Sequence, residues 1–230
     1  MKPRDIVFVI LGTVVAATCI RLGIWQLDRL SEKRALNNEL RARAETAPID
    51  FASVPQDTGD AHYRRVRIVG AYDFDNEIVL TSRSRRGSPG VNIITPARLQ
   101  GRDTAVLVNR GWVYAPDGMS ADLTRWREPE ALSAESYVQT FQAREGPVKS
   151  TSVPRAYRWM DRTTISQEFP YPIAPYYLVL IGESENPPAA IPPRVPVPAL
   201  DEGSHRSYAF QWFSFATISI IGMALYLRRK

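Results

Sequence analysis

Three side chains near the C-terminus have types and spacing suited to chemistry: His205, Tyr208 and Trp212. At i, i+3 and i+7 they share one face of a helix. A neutral imidazole at the edge of a low-dielectric region can serve as an axial ligand to haem iron. Tyr208 and Trp212 could then flank a porphyrin, and Arg206 or Arg21 could meet its propionates. A purely structural reading of the same residues stands beside this one. Tyr and Trp populate the aromatic belt of membrane helices, and His205 would then anchor a helix start. Trp25 and Gln26 lie at matching depth near the N-terminus, and Gln26 or Gln211 could simply hydrogen-bond two helices together.

The elements that must position these residues are two apolar runs. Tyr208 to Leu227 is a stretch of 20 uncharged residues closed by Arg228, Arg229 and Lys230. That is the length of a membrane-spanning helix, with the cationic stop typical of a cytoplasmic face. Ile6 to Ile20 is apolar throughout, Arg21 interrupts it, and Leu22 to Leu27 resumes it. A cleaved signal peptide, a lipoprotein signal and an uncleaved helix compete for this segment. Ala16, Ala17 and Thr18 before Cys19 fit a lipoprotein site poorly, and the run exceeds a signal-peptide core. An uncleaved helix from about Asp5 to Leu27 is therefore expected, with Arg21 snorkelling and Trp25 in the belt. The charges flanking the two helices disagree about orientation. The C-terminal trio outweighs Arg206 and places the C-terminus in the cytoplasm, whereas Arg21, Arg29, Lys33 and Arg34 outnumber Lys2 and Arg4. Following the second helix puts the middle of the chain outside the cytoplasm.

The net charge of +5 does not point to nucleic acid, because the excess is confined to the two ends. Asp28 to Leu227 sums to zero. A single cysteine excludes a disulfide-stapled domain and a copper site built on paired thiolates, and two histidines, His62 and His205, leave little for zinc. No nucleophile elbow, phosphate loop, dinucleotide fingerprint or His-Glu-x-x-His motif occurs. The pairs Asp161/Glu168 and Asp73/Asp75 read as solvated faces. A hydrolase using His62 or His205 as base remains a distant third reading.

Residues 29–46 extend the first helix, with Pro48 beyond its end. Short runs rich in Val, Ile and Tyr follow, punctuated by Gly70, Asp75-Asn76, Ser88-Pro89-Gly90 and Pro116-Asp117-Gly118. They predict a meander of antiparallel strands over residues 47–186. A polar excursion is expected between Met119 and Leu132. Further strands are expected at Ser136–Arg144, Tyr157–Met160 and Tyr176–Ile181, with a short helix at Thr164–Phe169. Six prolines in the twelve residues 187–198 predict an extended spacer of roughly 35–40 Å. With the residues up to 204 it would return the chain to the helix and basic tail of residues 205–230 without adding to the sheet. The domain plan is thus a first helix over 1–28, an extension over 29–46, a β-rich domain over 47–186, a spacer over 187–204 and a second helix over 205–230.

Five blocks carry a resemblance. They are Leu22-Gly23-Ile24-Trp25-Gln26-Leu27-Asp28-Arg29 with Lys33, Tyr63-Arg64-Arg65-Val66, Pro89-Gly90, Val108-Asn109-Arg110-Gly111-Trp112-Val113, and His205 to Phe213. In this order, from the first span to the last, they resemble the hallmark blocks of the Surfeit locus protein 1 family. The resemblance implies a membrane protein with two transmembrane helices bracketing a β-rich α+β extracytoplasmic domain built on an antiparallel sheet. It implies an assembly factor for haem-copper cytochrome c oxidase, not a turnover enzyme, that assists haem a insertion into subunit I. The implied partners are subunit I, haem a synthesis enzymes and membrane lipid, with no nucleic acid. His205 would be the metal ligand, and Tyr208, Trp212, Trp25 and Arg206 would complete the cofactor contacts. A scaffold that binds oxidase subunits without touching haem is the alternative. Both termini are expected in the cytoplasm. Mitochondrial members carry a presequence before the first span and this sequence starts at it. A bacterial plasma (inner) membrane is therefore expected, with the mitochondrial inner membrane as the alternative. Two departures from the family pattern are the segment 119–146, which fits no block, and Gly203-Ser204 in place of asparagines before His205. Residues 109–112 read first as structural, with a strand bend at Gly111 and a packed Trp112, and with Arg110 as a candidate partner contact.

Overall fold

A computed structural model of the chain describes residues 3–142, 146–182, 188, 190–197 and 200–229. They form two compact units, one from residues 1–39 with 199–230 and one from residues 40–198. Helix α1 (Pro3–Glu45), whose residues up to Glu39 lie in the first unit, and helix α4 (His205–Arg228) of that unit are both long and apolar enough to cross a membrane. Their seam uses small residues. Gly12 receives the thioether of Met223 and Gly23 receives the ring of Phe213, leaving no room for a side chain at either position. Ala16 and Cys19 of α1 and Ala209 and Ala216 of α4 are buried along it. Much of the remaining apolar surface points outward, with Ile218 66% and Phe210 75% exposed. Ser219 Oγ donates to Gly12 O at 3.1 Å, and Tyr226 Oη donates to Asp5 at 2.8 Å, tying the far ends of the two helices.

The second unit is built on β1 (Ile49–Asp50), β2 (Arg65–Tyr72), β3 (Ile78–Arg85), β4 (Ser88–Arg98), β5 (Ala105–Tyr114), β6 (Ala131–Thr140), β7 (Ala156–Tyr157) and β8 (Ile173–Leu180). Two short helices, α2 (Thr58–Ala61) and α3 (Arg162–Ser166), are capped by Asp57 and Asp161 through their side chains. Strands β2, β6, β8, β5 and β4 pair in that order, and β2 then meets β4 through Ala71↔Arg98 and Tyr72↔Ala97. The sheet therefore closes into a five-stranded barrel.

This corrects the expected antiparallel meander in two respects. The sheet is closed, and β5 runs parallel to β8, as β1 does to β2 and β3 to β7. A meander follows from pairing sequence neighbours, but the last long strand, β8, instead inserts between β5 and β6. Burial on both faces explains the near-continuous apolar run of β4 and β5. Val66, Ile68, Ala97, Val106, Val108, Val138, Leu178 and Leu180 fill the barrel interior. On the outside, Ile94, Leu107 and Ile173 are covered by Ile78, Leu80, Tyr157, Met160, Ile165 and Phe169.

Two local readings also change. The β3–β4 turn is Arg86-Gly87, both at positive φ (51° and 80°), which is the type I′ geometry of two-residue hairpins. Pro89-Gly90, read as the turn from composition, lies within β4. The strand expected over Ser136–Arg144 is β6, which begins at Ala131 and ends at Thr140, and Arg144 lies outside the described residues.

Candidate functional site

Helix α4 starts at His205 because the preceding segment is fastened to α1. The Arg34 guanidinium grips the Glu202 carboxylate through two bonds of 3.0 and 2.8 Å. Asn37 Nδ2 donates to Leu200 O and Asp201 O. The Asp201 side chain accepts from Gly203 N–H at 2.9 Å. The imidazole that follows is half-buried, and its Nδ1 stands 2.8 Å from Gln26 Oε1. An amide oxygen only accepts, so with Gln26 in this orientation the neutral imidazole that fits the contact is the Nδ1–H tautomer, whose lone pair is on Nε2. Gln26 is itself 9% exposed and takes the place that a carboxylate or carbonyl occupies behind a metal-binding histidine.

On the open side of the ring, His205 shares a recess of about 210 Å³ with Arg29, Glu32, Lys33 and Leu36. That is smaller than the roughly 300–1,000 Å³ of enclosed small-molecule pockets. A flat ligand meeting Nε2 would therefore lie along the helix surface. Among the described residues no three of His, Cys, Asp and Glu gather to hold a metal ion. Gly203, at φ 73°, leaves the ring free on that side, because a Cβ there would stand 3.6 Å from Nε2.

The other sequence candidates are distributed along the same two helices. Trp25 and Tyr208 are 48% and 47% exposed. Trp212 is half-buried with its ring edge-on to Phe215. Arg206 and Arg21 are exposed and neither lines the recess. The cations beside His205 are Arg29, paired with Glu32 at 2.7 Å, and Lys33. Their proximity to His205 was not read from the sequence. The signal available was helical spacing, since Gln26, Arg29 and Lys33 fall at i, i+3 and i+7 on α1.

His62, the other histidine, lies in the barrel unit. Its Nε2 is 2.8 Å from Gln139 Oε1 and its ring meets Tyr63 edge-on. Burial pushes its pKa below the usual value. Among the described residues its only side-chain hydrogen-bond partner is an amide, which gives no hydrolytic geometry.

The barrel unit holds a second notable constellation, at residues 109–112. The β4–β5 ladder shifts register between Ile93↔Gly111 and Ile94↔Asn109, so Arg110 is the extra residue of a β-bulge. The bulge turns its side chain inward, where it is 0% exposed. Arg110 donates from Nε to Thr95 Oγ1 at 2.8 Å, from Nη2 to Glu77 at 2.6 Å, and from Nη1 to Trp126 O at 2.6 Å and Glu128 at 3.2 Å. Phe74 and Tyr72 stack over the guanidinium. Next to it, Asn109 Oδ1 accepts from Gly111 N–H. Gly111, at φ 150°, leaves no space for a Cβ, which would meet Pro193 O at 2.5 Å. Trp112 N–H donates to that same oxygen at 2.9 Å, and Arg194 grips Glu128 through bonds of 2.9 and 2.6 Å. The proline-rich run is therefore strapped onto β5 over residues 192–194 instead of standing off as a spacer. A buried Arg110 also corrects the notion that it faces a partner.

The SURF1 family model matches residues 13–217, nearly the whole chain. The chain belongs to the SURF1 family. Among its SURF1 relatives, a SURF1-like protein of Monosiga brevicollis is 26% identical over 91% of this chain and 83% of its own length. A SURF1-like protein of Rickettsia felis is 25% identical over 91% and 92%. The Surfeit locus protein 1 of Takifugu rubripes is 30% identical over 44% of this chain and 48% of its own length. The sequence blocks that signalled SURF1 membership now have physical roles. The first and last meet at Gln26 and His205. The Pro-Gly and Asn-Arg-Gly-Trp blocks meet where the indole of Trp112 lies over Gly90, whose absent Cβ would fall 2.5 Å from Nε1.

Proposed function

We propose that this SURF1 protein is an assembly factor for haem-copper cytochrome c oxidase and not a turnover enzyme. In this reading it crosses a bacterial plasma membrane twice, with both termini in the cytoplasm and the barrel outside. Its cargo is haem a, which it holds at His205 Nε2 and passes to oxidase subunit I after receiving it from haem a synthesis enzymes. The observation that carries the reading is the 2.8 Å contact between Gln26 Oε1 and His205 Nδ1. That contact supports the Nδ1–H tautomer, which would leave Nε2 as a donor to iron, and it links the two apolar helices beside the imidazole. Haem a, once bound, brings its iron and its two propionates to the site. The chain's residues orient the imidazole through Gln26, offer cations to the propionates through Lys33 and Arg29, and offer flat apolar surface through Trp25, Tyr208 and Trp212.

The test is an optical spectrum of the detergent-purified protein co-expressed with haem a synthesis enzymes, taken for wild type, His205→Ala and Gln26→Leu. A haem a band in the wild type that is lost in His205→Ala is the expected result. If no haem co-purifies with the wild type while oxidase assembly still depends on the protein, the scaffold reading replaces this one.

A further inference from the structure

A cavity of about 530 Å³ in the barrel unit opens beside the β3–β4 turn and takes no part in the haem reading. Its size falls within the roughly 300–1,000 Å³ of small-molecule sites. Arg83, Arg85, Arg86 and Arg194 line it together with Trp112 and Pro196, and no acidic side chain does so among the described residues. Arg83, Arg86 and Arg194 each have partners within the chain. Arg194 is neutralised by Glu128, and Arg83 donates to Arg158 O.

Two donors on the lining, Arg85 Nη1 and Trp112 Nε1, are buried without an acceptor among the described residues. Buried donors in folded proteins nearly always have a partner, so two on one cavity call for an acceptor from outside the chain. The turn itself is a further sign. Arg86 occupies a left-handed position (φ 51°) that Asn, Asp or Gly adopts at lower cost, so an arginine there adds strain that the turn does not need. That strain delivers a guanidinium to the rim of the cavity. The indole of Trp112 is held against Gly90, and its backbone is fastened to Pro193, so the aromatic wall is preorganised.

We propose that this cavity binds an oxyanion, carboxylate or phosphate, either free or carried on a flat apolar body. Arg85 and the Trp112 indole donate to the anion, and Arg83 and Arg86 stand on the lining beside them. An apolar body would rest on Trp112 and Pro196. The proposal is independent of haem at His205, which belongs to the other unit.

The experiment uses the full ¹⁵N-labelled chain in uncharged detergent micelles and follows the indole N–H resonances, with that of Trp112 assigned by Trp112→Phe. Inorganic phosphate and 1-naphthyl phosphate are titrated separately. A saturable shift of the Trp112 resonance, weakened at least tenfold in Arg85→Gln, is expected with one or both probes. Equal affinity for the two assigns a free oxyanion as the ligand, and tighter binding of naphthyl phosphate assigns the carried form. Arg85 sits at a turn-proximal, partly exposed position, and an unchanged spectrum of the other four indoles would establish that Arg85→Gln folds. No saturable shift with either probe would overturn the proposal, as would a shift that Arg85→Gln leaves intact. Binding that appears only after Glu183→Gln with Glu185→Gln would also overturn it, since the arginines would then be satisfied by the chain's own acids.

Discussion

Replacing Arg110 with methionine is the sharpest test of how the barrel is held together. The guanidinium is fully buried and makes bonds to Thr95, Glu77, Trp126 and Glu128. The Glu77 side chain is only 3% exposed. Methionine preserves much of the volume but leaves Glu77 as a buried carboxylate whose remaining hydrogen bond is the hydroxyl of Thr95, 2.6 Å away. Removing one partner of such a pair costs about 3–5 kcal/mol, because the surviving charge is neither solvated nor paired. For a unit of this size, each kcal/mol lowers the unfolding midpoint by about 2–4 °C, so the expected drop is roughly 6–20 °C. The assay is thermal unfolding of the purified protein followed by near-ultraviolet circular dichroism, which reports the tyrosines and tryptophans of the barrel. The double variant Arg110→Met/Glu77→Leu should recover most of the loss. It removes both charges and leaves the Arg194–Glu128 pair balanced. A drop under about 2 °C in the single variant, or no recovery in the double, would mean that the network does not stabilise the barrel in this way.

Three further outcomes are expected. Gln26→Leu should lower haem a affinity by about 10- to 100-fold, the usual cost of removing a histidine's supporting acceptor, in a titration of the purified protein; unchanged affinity would separate the tautomer argument from binding. Gly111→Ala should destabilise the barrel by about 1–3 kcal/mol, since alanine must adopt a strained φ and its Cβ meets Pro193 O; a midpoint equal to wild type would contradict the strap. His62 has a pKa lowered by burial from 6.5, so the unfolded chain binds its proton more readily than the folded one. Its contribution is therefore full above about pH 6.5 and is lost as pH falls through the lower folded value. His62→Gln should flatten the stability profile in that window, measured by denaturant unfolding at several pH values.

What the sequence conveyed best was what local composition encodes. Uncharged runs marked both apolar helices, and short runs rich in Val, Ile and Tyr marked the strands. The end of α1 before Pro48 was legible for the same reason. Partner choice between strands was not, because no residue in β5 announces that Ile173–Leu180, some seventy positions later, will lie parallel beside it. Gly90 misled for a related reason. A glycine beside proline reads as a turn, yet this one is needed because an indole from the next strand lies on it. Arg110 looked like a surface residue because arginine usually is one, and the acids that bury it come from Glu77 and Glu128, distant in sequence. At the His205 site, both partners of the decisive hydrogen bond carried polar side chains at the ends of apolar runs. Helical spacing singled out His205 and matching depth singled out Gln26, with an interhelical hydrogen bond from Gln26 among the readings, but not one to His205.

The place of β8 bears on how the protein is made. β8 bridges β5 and β6, and among the described residues the ring closes elsewhere through the two-residue contact between β2 and β4. While the chain emerges from the ribosome, nothing before Ile173 can complete the ring, so β5 and β6 wait with unpaired edges. A nascent or prematurely terminated chain is thus a ready template for intermolecular strand pairing. A chain halted between Thr140 and Ile173 should be cleared or aggregate, and one that has passed Leu180 should not.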